Sequence, residues 1–172
     1  TLSARDLARV GARALAAAVP DPEIPVLTIA DLGVLRDVVR EDDGTVVVRI
    51  TPTYSGCPAM DTIRADVLTA LRDGGFDDAR VDLVLSPAWT TDWMSEDGRR
   101  KLSEYGVTPP ATEAERRTVR HSGGPVPLTL GMRCPQCGSL DTEELSRFGS
   151  TACKSLWRCR ACAEPFDHFK TL

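Results

Sequence analysis

Residues 45–75 read TVVVRITPTYSGCPAMDTIRADVLTALRDGG, a strand pattern that runs into a helix pattern. The valine-rich run over residues 45–50 predicts a strand, because β-branched residues favour extended structure. Apolar residues then recur at helical spacing over residues 58–73. Proline suits the first turn of a helix, and the two glycines at 74 and 75 end it. The segment therefore predicts a strand, a loop that holds a single cysteine, and an amphipathic helix.

The flanking sequence adds two strands and two helices to this unit. A helix is predicted from Ser3, a capping residue, to Pro20, and a second short helix over residues 95–105. Residues 34–39 and 81–85 show strand patterns, and the turn sequence EDDG joins the first of them to the strand at 45–50. The order α-β-β-α-β-α predicts an α+β fold in which a small mixed sheet is packed by helices.

Length and composition limit the classes of protein that fit. The chain has 172 residues, 42% of them hydrophobic, which is enough for one domain with a packed core and a small second module. The net charge of −4 argues against a nucleic-acid-binding protein, which needs a cluster of basic residues. Apolar runs stay well below the roughly 18 residues of a membrane span. No signal peptide is recognisable, so we expect a cytoplasmic protein.

Four cysteines form two C-x-x-C pairs near the end of the chain. CPQC supplies Cys134 and Cys137, and CRAC supplies Cys159 and Cys162. Two such pairs offer four thiolates to a tetrahedral metal, and so small a segment needs a metal or a disulfide to fold. Disulfides are the weaker alternative without a secretion signal. The spacing predicts a structural zinc ribbon, although iron in the same four-sulfur site also fits.

The domain boundaries follow from composition. Residues 1–108 are predicted to form the first domain, residues 109–130 a linker rich in proline and glycine, and residues 131–172 the ribbon. Cys153 lies inside the ribbon but outside both C-x-x-C pairs, and we interpret it as a small buried apolar residue.

Cys57 stands between Gly56 and Pro58, just where the central helix is predicted to begin. At the helix N-cap its sulfur would face unpaired N–H groups and the positive end of the helix dipole, which predicts a lowered thiol pKa. Thr53 and Ser55 place hydroxyls beside it. Such a thiolate can be a nucleophile, a redox sensor or a metal ligand, or it can simply cap the helix. No histidine lies in the first domain, which argues against a Cys-His hydrolase.

Three motifs in the first domain, DPEIPVLTIADLGVL, TPTYSGCPAM and SPAWTTDWMSEDGRRKLSEYG, resemble the SufT-like family of small iron–sulfur assembly domains. The tail CPQCGSLDTEELSRFGSTACKSLWRCRACAEPFDHFK looks like that of one branch of the family, which serves the bacterial phenylacetyl-CoA epoxidase system. The resemblance covers nearly the whole chain, and the combination of the two parts is more specific than either alone.

The resemblance implies a role in maturing or delivering iron–sulfur clusters, with the family's motif cysteine at Cys57. Asp21 and Glu23, and Thr90 with Thr91, match family positions around the same site. In the epoxidase system a di-iron subunit carries out the oxidation, and a reductase with flavin and a [2Fe–2S] cluster supplies electrons. The resemblance implies that the present chain is not the catalyst. Its expected partners are the reductase and other epoxidase subunits, and its expected cargo is transient iron or a cluster.

Two other functions compete with an assembly factor. The chain could be a structural adaptor of the epoxidase complex that docks through its ribbon, or, less in keeping with the sequence, a thiol enzyme that uses Cys57 as nucleophile. One thiolate cannot hold a cluster alone. The assembly hypothesis therefore requires either a homodimer that pairs two Cys57 residues or a client protein that supplies the other ligands.

Overall fold

A computed structural model describes residues 4–113 and 132–171. The chain forms two compact units, Thr1–Gly98 and Arg99–Leu172. Residues 99–108, which the sequence predicted to belong to the first domain, fall in the second unit. The predicted cap Ser3 and most of the predicted linker lie outside the described residues.

The first unit follows the predicted order of helices and strands up to the last helix, most of which belongs to the second unit. Its elements are α1 (Ala4–Ala17), β1 (Leu35–Arg40), β2 (Val46–Ile50), α2 (Ala59–Asp73), β3 (Ala79–Leu83), a 3₁₀ turn (Thr91–Trp93) and the start of α3 (Glu96–Glu104). The strands form a sheet in the order β1-β2-β3, with β1 antiparallel and β3 parallel to β2. The predicted α+β fold with a small mixed sheet is confirmed.

The core of this unit lies around the central strand and the inner faces of the two long helices. Val46–Val48 are almost fully buried, because β2 is the middle strand and both of its faces are covered. Helix α2 buries Ile63, Val67 and Leu71, as its helical spacing predicts. Burial of three such side chains contributes roughly 1.5–3 kcal/mol each. The Cys57 loop is therefore anchored at both ends, by β2 before it and by α2 after it.

The proline-rich loop over residues 18–34 is also an ordered part of this core. Its end is held by the Trp89 indole N–H, which donates to the Leu32 carbonyl at 2.9 Å. Gly33 has a φ of 72°, and a Cβ at this position would lie only 2.6 Å from Cβ of Trp93. Only glycine tolerates both the backbone conformation and this close approach. The loop is therefore fixed in place, and it carries Asp21 and Glu23.

The second unit is built on a four-stranded sheet. Its strands are β4 (Val107–Thr108), β5 (Thr142–Ser146), β6 (Lys154–Cys159) and β7 (Pro165–Phe169), in the order β4-β7-β6-β5. β5, β6 and β7 are antiparallel neighbours, and β4 pairs in parallel with β7. A small core forms from Trp157 and Phe166 around two of the cysteines, with Met132 packed against it. This pairing of β4 explains why the second unit begins before residue 108.

No helix among the described residues is long and apolar enough to cross a membrane.

Candidate functional site

Cys57 lies in the loop between β2 and α2, directly before the helix. Helix α2 begins at Ala59 with Pro58 as N-cap, so Cys57 is one residue before the N-cap position that the sequence predicted for it. Pro58 already has helical dihedral angles, φ −69° and ψ −19°. The Met60 N–H donates to the Cys57 carbonyl at 3.4 Å. Gly56, at φ 80°, makes the turn that delivers the cysteine to the helix end.

The surroundings of the Cys57 sulfur raise its pKa rather than lower it. Burial of the half-exposed thiol raises its pKa, and the Glu23 carboxylate raises it further. The Ala59 backbone N–H and the hydroxyls of Thr53 and Tyr54 hydrogen-bond to the sulfur and act in the opposite direction, but less strongly. The predicted lowering of the thiol pKa is therefore wrong. The helix end does supply an N–H donor, but desolvation and a nearby negative charge outweigh it.

Asp21 positions Glu23. The Asp21 carboxylate is buried and accepts hydrogen bonds from the Glu23 N–H at 2.9 Å and the Ile24 N–H at 2.8 Å. These bonds fix the backbone direction where Glu23 leaves the loop. The Glu23 carboxylate acts electrostatically on the Cys57 thiol, so its charge lies in the neighbourhood of the sulfur. The structure thus brings together Cys57, Glu23 and Thr53 of the residues that the sequence singled out.

The other predicted site residues have structural settings of their own. Ser55 is exposed on the Cys57 loop. Thr90 caps the 3₁₀ turn, where its hydroxyl accepts a bond from the Asp92 N–H at 3.4 Å, and Thr91 is fully buried in that turn. A role for Thr90 and Thr91 at the Cys57 site stays a prediction.

We expect Glu23→Gln to make Cys57 more reactive. Removing a negative charge near the sulfur lowers the pKa of the thiol and increases the thiolate fraction at neutral pH. The rate of alkylation by iodoacetamide at pH 7 should rise about two- to fivefold. Peptide mass spectrometry reads the modification at Cys57 separately from the other cysteines. A rate equal to or below that of the parent chain would show that the Glu23 charge does not act on this thiol.

A metal centre is the second candidate site. The sulfur atoms of Cys134, Cys137, Cys159 and Cys162 all lie within 4.8 Å of one another. Two of the sulfur–sulfur distances are 3.8 Å and 3.6 Å. Four sulfurs about 2.3 Å from a tetrahedral zinc are separated by about 3.8 Å, so the cluster has the size that a zinc ion requires.

The chemistry of the donor set also fits a cation. The pKa of the Cys159 thiol is lowered to about 7, first by the Cys162 backbone N–H. The Glu164 N–H lowers the pKa of Cys162, but desolvation and the adjacent sulfurs raise it to about 12. The four thiols therefore cannot all ionise side by side at neutral pH unless a cation compensates their charge. Metal binding must release protons, and it should weaken as the pH falls.

Each knuckle of the metal centre ends in a left-handed residue. Gly138 follows Cys137 with a φ of 73°, and Ala163 follows Cys162 with a φ of 63°. This turn aims backbone N–H groups back at the sulfurs, such as that of Ser139 at Cys137. These backbone donors were not predicted from the sequence. In the sequence, Gly138 after Cys137 indicates a left-handed turn, whereas Ala163 after Cys162 does not.

Cys153 does not belong to the metal cluster. It is 4% exposed, and its sulfur lies 3.0 Å from the Thr151 hydroxyl. The four-cysteine group found among residues 132–171 does not include it. These observations agree with the interpretation of Cys153 as a small buried residue.

His168 ties β4 to β7 in the second unit. Its Nδ1 lies 3.2 Å from the Thr108 carbonyl, which can only accept, so Nδ1 carries a proton and donates. The ring packs edge-on against Trp157 with 6.5 Å between centroids. Burial lowers the pKa of His168, although the bond to Thr108 and the charge of Glu144 act the other way. The neutral imidazole is therefore the form that the folded unit prefers.

We expect the second unit to lose stability on acidification, in part through His168. The unfolded chain, with the ordinary histidine pKa of about 6.5, binds this proton more readily than the folded chain. The stabilisation that neutral His168 contributes is complete above the unfolded pKa of about 6.5. It decreases as the pH falls towards the lower pKa of His168 in the folded chain. His168→Gln keeps a donor for Thr108 and should flatten this part of the melting-temperature profile between about pH 7.5 and 5.5. An unchanged slope in the variant would exclude His168 as its source.

The comparisons with known proteins match both units. The iron–sulfur cluster assembly protein family matches residues 13–84, and the PaaD zinc beta ribbon domain matches residues 121–170. A crystal structure of a domain of unknown function, DUF59, from Bacillus anthracis has a TM-score of 0.53 and 28% identity; the match covers 57% of this chain and 93% of that one.

Named relatives add to these matches. A protein of Escherichia coli (strain K12), provisionally named as a subunit of 1,2-phenylacetyl-CoA epoxidase, is 48% identical over 159 residues, 92% of this chain and 90% of that protein. An Fe-S protein maturation auxiliary factor of Porphyromonas gingivalis is 40% identical over 83 residues, 48% of this chain and 78% of that protein. Fold and sites thus define an iron–sulfur cluster assembly domain joined to a four-cysteine zinc ribbon domain. The match to the E. coli protein covers nearly the full length of both chains, so the chain belongs to the PaaD family.

Proposed function

We propose that this chain is a non-catalytic accessory factor that matures or delivers the iron–sulfur cluster of the phenylacetyl-CoA epoxidase reductase. The observation that carries the proposal is the pairing, in one chain, of an assembly domain holding the Cys57 thiol with a ribbon typical of the epoxidase accessory family. The auxiliary-factor names of relatives of the first domain support an assembly role. The epoxidase name of the nearly full-length relative supports the choice of client.

Cys57 is the residue through which we propose that iron or a cluster is handled. Its sulfur is partly accessible, and sulfur is the ligand type that iron–sulfur clusters use. The raised pKa keeps the thiol protonated at neutral pH, so the cargo metal must displace a proton when it binds. Because the proton competes with the metal for the same sulfur, re-protonation of Cys57 favours release of the cargo. Since one sulfur cannot hold a cluster, a reductase client or a second copy supplies the remaining ligands.

In the ribbon we propose a structural zinc ion held by the four clustered cysteines. Four sulfur ligands fill a tetrahedral shell and leave no position for a substrate, so the metal would stabilise the fold without taking part in a reaction. Cys134 and Cys159 are buried in the small core, which makes the metal part of that core. Iron in the same four-sulfur shell is the alternative that metal analysis decides.

A structural adaptor of the epoxidase complex is the second candidate function. The E. coli relative is named as a subunit of the epoxidase, and the ribbon carries large exposed apolar side chains at Leu145 and Phe148. Exposed apolar residues of this kind are common at docking surfaces. The third candidate, a thiol enzyme, is less well supported, because the raised pKa of Cys57 makes it a poor nucleophile at neutral pH.

The direct test measures the cluster content of the client. The epoxidase reductase is expressed without oxygen in cells that lack the natural accessory protein, with and without the present chain. We expect iron, acid-labile sulfide and the visible cluster spectrum to reach full occupancy only when the chain is present. If the reductase carries its full cluster content without the chain, but epoxidation still requires the chain, the result would contradict the assembly role and support the adaptor role.

A further inference from the structure

The sheet of the first unit has an open edge at β3. In the order β1-β2-β3, β3 is an outer strand of the sheet among the described residues. The edge is also apolar, because Leu83 is 42% exposed and Leu85, just beyond the strand, is 65% exposed. An open strand with exposed leucines is a surface that readily adds another strand.

The backbone of β3 offers its free groups at alternate residues. The Asp78 carbonyl accepts from the Val46 N–H at 2.9 Å, and the Val84 N–H donates to the Ile50 carbonyl at 2.8 Å, so even-numbered residues bond to β2. Successive residues of a strand direct their backbone groups to opposite sides. The N–H and carbonyl groups of the odd-numbered residues, centred on Val81, therefore point away from the sheet.

The side chains of β3 are complementary to those of a second, antiparallel copy of the same strand. The strand reads Ala-Arg-Val-Asp-Leu, which is apolar, basic, apolar, acidic, apolar. In an antiparallel pair centred on Val81, Arg80 of one copy lies opposite Asp82 of the other, and the reverse pair forms as well. Ala79 and Leu83 then lie opposite each other on the other face. Opposite charges and apolar residues at facing positions stabilise a strand pair.

We propose that two copies of this chain associate through β3, antiparallel, about a two-fold axis at Val81. The outward backbone groups of Val81 make it the hydrogen-bonded pair at the centre, and the three facing pairs exchange about six backbone hydrogen bonds. The charged pairs then occupy the non-hydrogen-bonded positions, where facing side chains lie closer together. The two three-stranded sheets become one continuous sheet, and the interface is isologous.

This association has a consequence for Cys57. Each β2 leads at its C-terminal end to the Cys57 loop, and β2 is parallel to β3. In the antiparallel pair the two β2 strands point in opposite directions, so the two Cys57 loops lie at opposite ends of the joined sheet. The dimer therefore does not combine two Cys57 sulfurs on one cluster. If the proposed function holds, each copy must take its remaining cluster ligands from a client.

Charge-swapped variants of the full-length chain test the association. A single strand pair is a small interface, and we expect a dissociation constant on the order of 10 µM by sedimentation velocity. Arg80→Asp places two acids opposite two acids, and Asp82→Arg places two bases opposite two bases. For each variant alone we expect the dissociation constant of the dimer to rise at least about tenfold. An equimolar mixture of the two should form a heterodimer, because the two acids at positions 80 and 82 of one strand then face the two bases of the other.

The outcomes separate this interface from others. Circular dichroism verifies that both variants fold, and exposed ion pairs such as Arg80 with Glu41 contribute little to stability. A monomeric parent chain at about 200 µM would overturn the proposal. Dimers of undiminished strength in both variants would assign the association to another surface. Failure of the mixture to associate would contradict the antiparallel register. None of these results depends on cluster transfer.

Discussion

Replacement of Cys57 by serine is expected to abolish cluster insertion into the reductase while the chain stays folded. Serine has nearly the shape of cysteine, and its hydroxyl can accept the Ala59 N–H bond that the sulfur now receives. The loop and α2 should therefore keep their structure, at a cost of no more than about 1 kcal/mol. The variant lacks the soft sulfur that iron prefers. We expect reductase cluster content to fall to the level of cells without the chain, at least about tenfold below the parent.

The matched control for this experiment is Cys153→Ser. This variant makes the same cysteine-to-serine change at a different position. Cys153 is buried in the second unit and lies outside the metal cluster. We expect the control to retain cluster insertion, with growth on phenylacetate as a second measurement. Full restoration of reductase cluster content by Cys57→Ser would contradict a sulfur-ligand role and favour the adaptor function.

The first unit was largely predictable because local rules and tertiary packing agree there. The valine run became β2 and the periodic segment after it became α2, whose buried residues Ile63, Val67 and Leu71 recur at helical spacing. The first helix shows the limit of such patterns. Leu7 and Val10 contribute to its apolar periodicity, yet they are exposed, and the small Ala12 and Ala16 are buried instead. Which apolar stripe faces the sheet depends on the space available, and a periodic sequence does not contain that information.

The Cys57 site was predictable in its location but not in its chemistry. The sequence shows that a cysteine precedes a helix, and helix ends generally favour thiolates. It does not show how much water reaches the sulfur, or that the loop carrying Glu23 folds back to the same region. Those two tertiary effects decide the direction of the pKa shift. For the same reason β4 was not predicted, because Val107–Thr108 become a strand only by pairing with β7.

The metal centre gives the second large expected effect, a loss of structure in the second unit when Cys159 is changed to serine. Cys159 is fully buried and lies in the same small core as Trp157 and Phe166. Structural zinc sites supply about 10–16 kcal/mol of binding free energy in small metal-dependent peptides. So small a core cannot replace a contribution of this size. We expect zinc content to fall from about one ion per chain to well below half, with loss of hydrogen-exchange protection over residues 132–171.

The first unit should keep its structure in this variant, because domains with their own hydrophobic cores unfold largely independently. Its hydrogen-exchange protection in β2 and α2 therefore serves as the internal control in the same measurement. Cys153→Ala is the matched variant, since it removes a buried sulfur next to β6 without touching the metal cluster. We expect it to keep full zinc content. Loss of half or more of the metal in Cys153→Ala, or full zinc content with a protected ribbon in Cys159→Ser, would show that the metal is held by a different set of sulfurs.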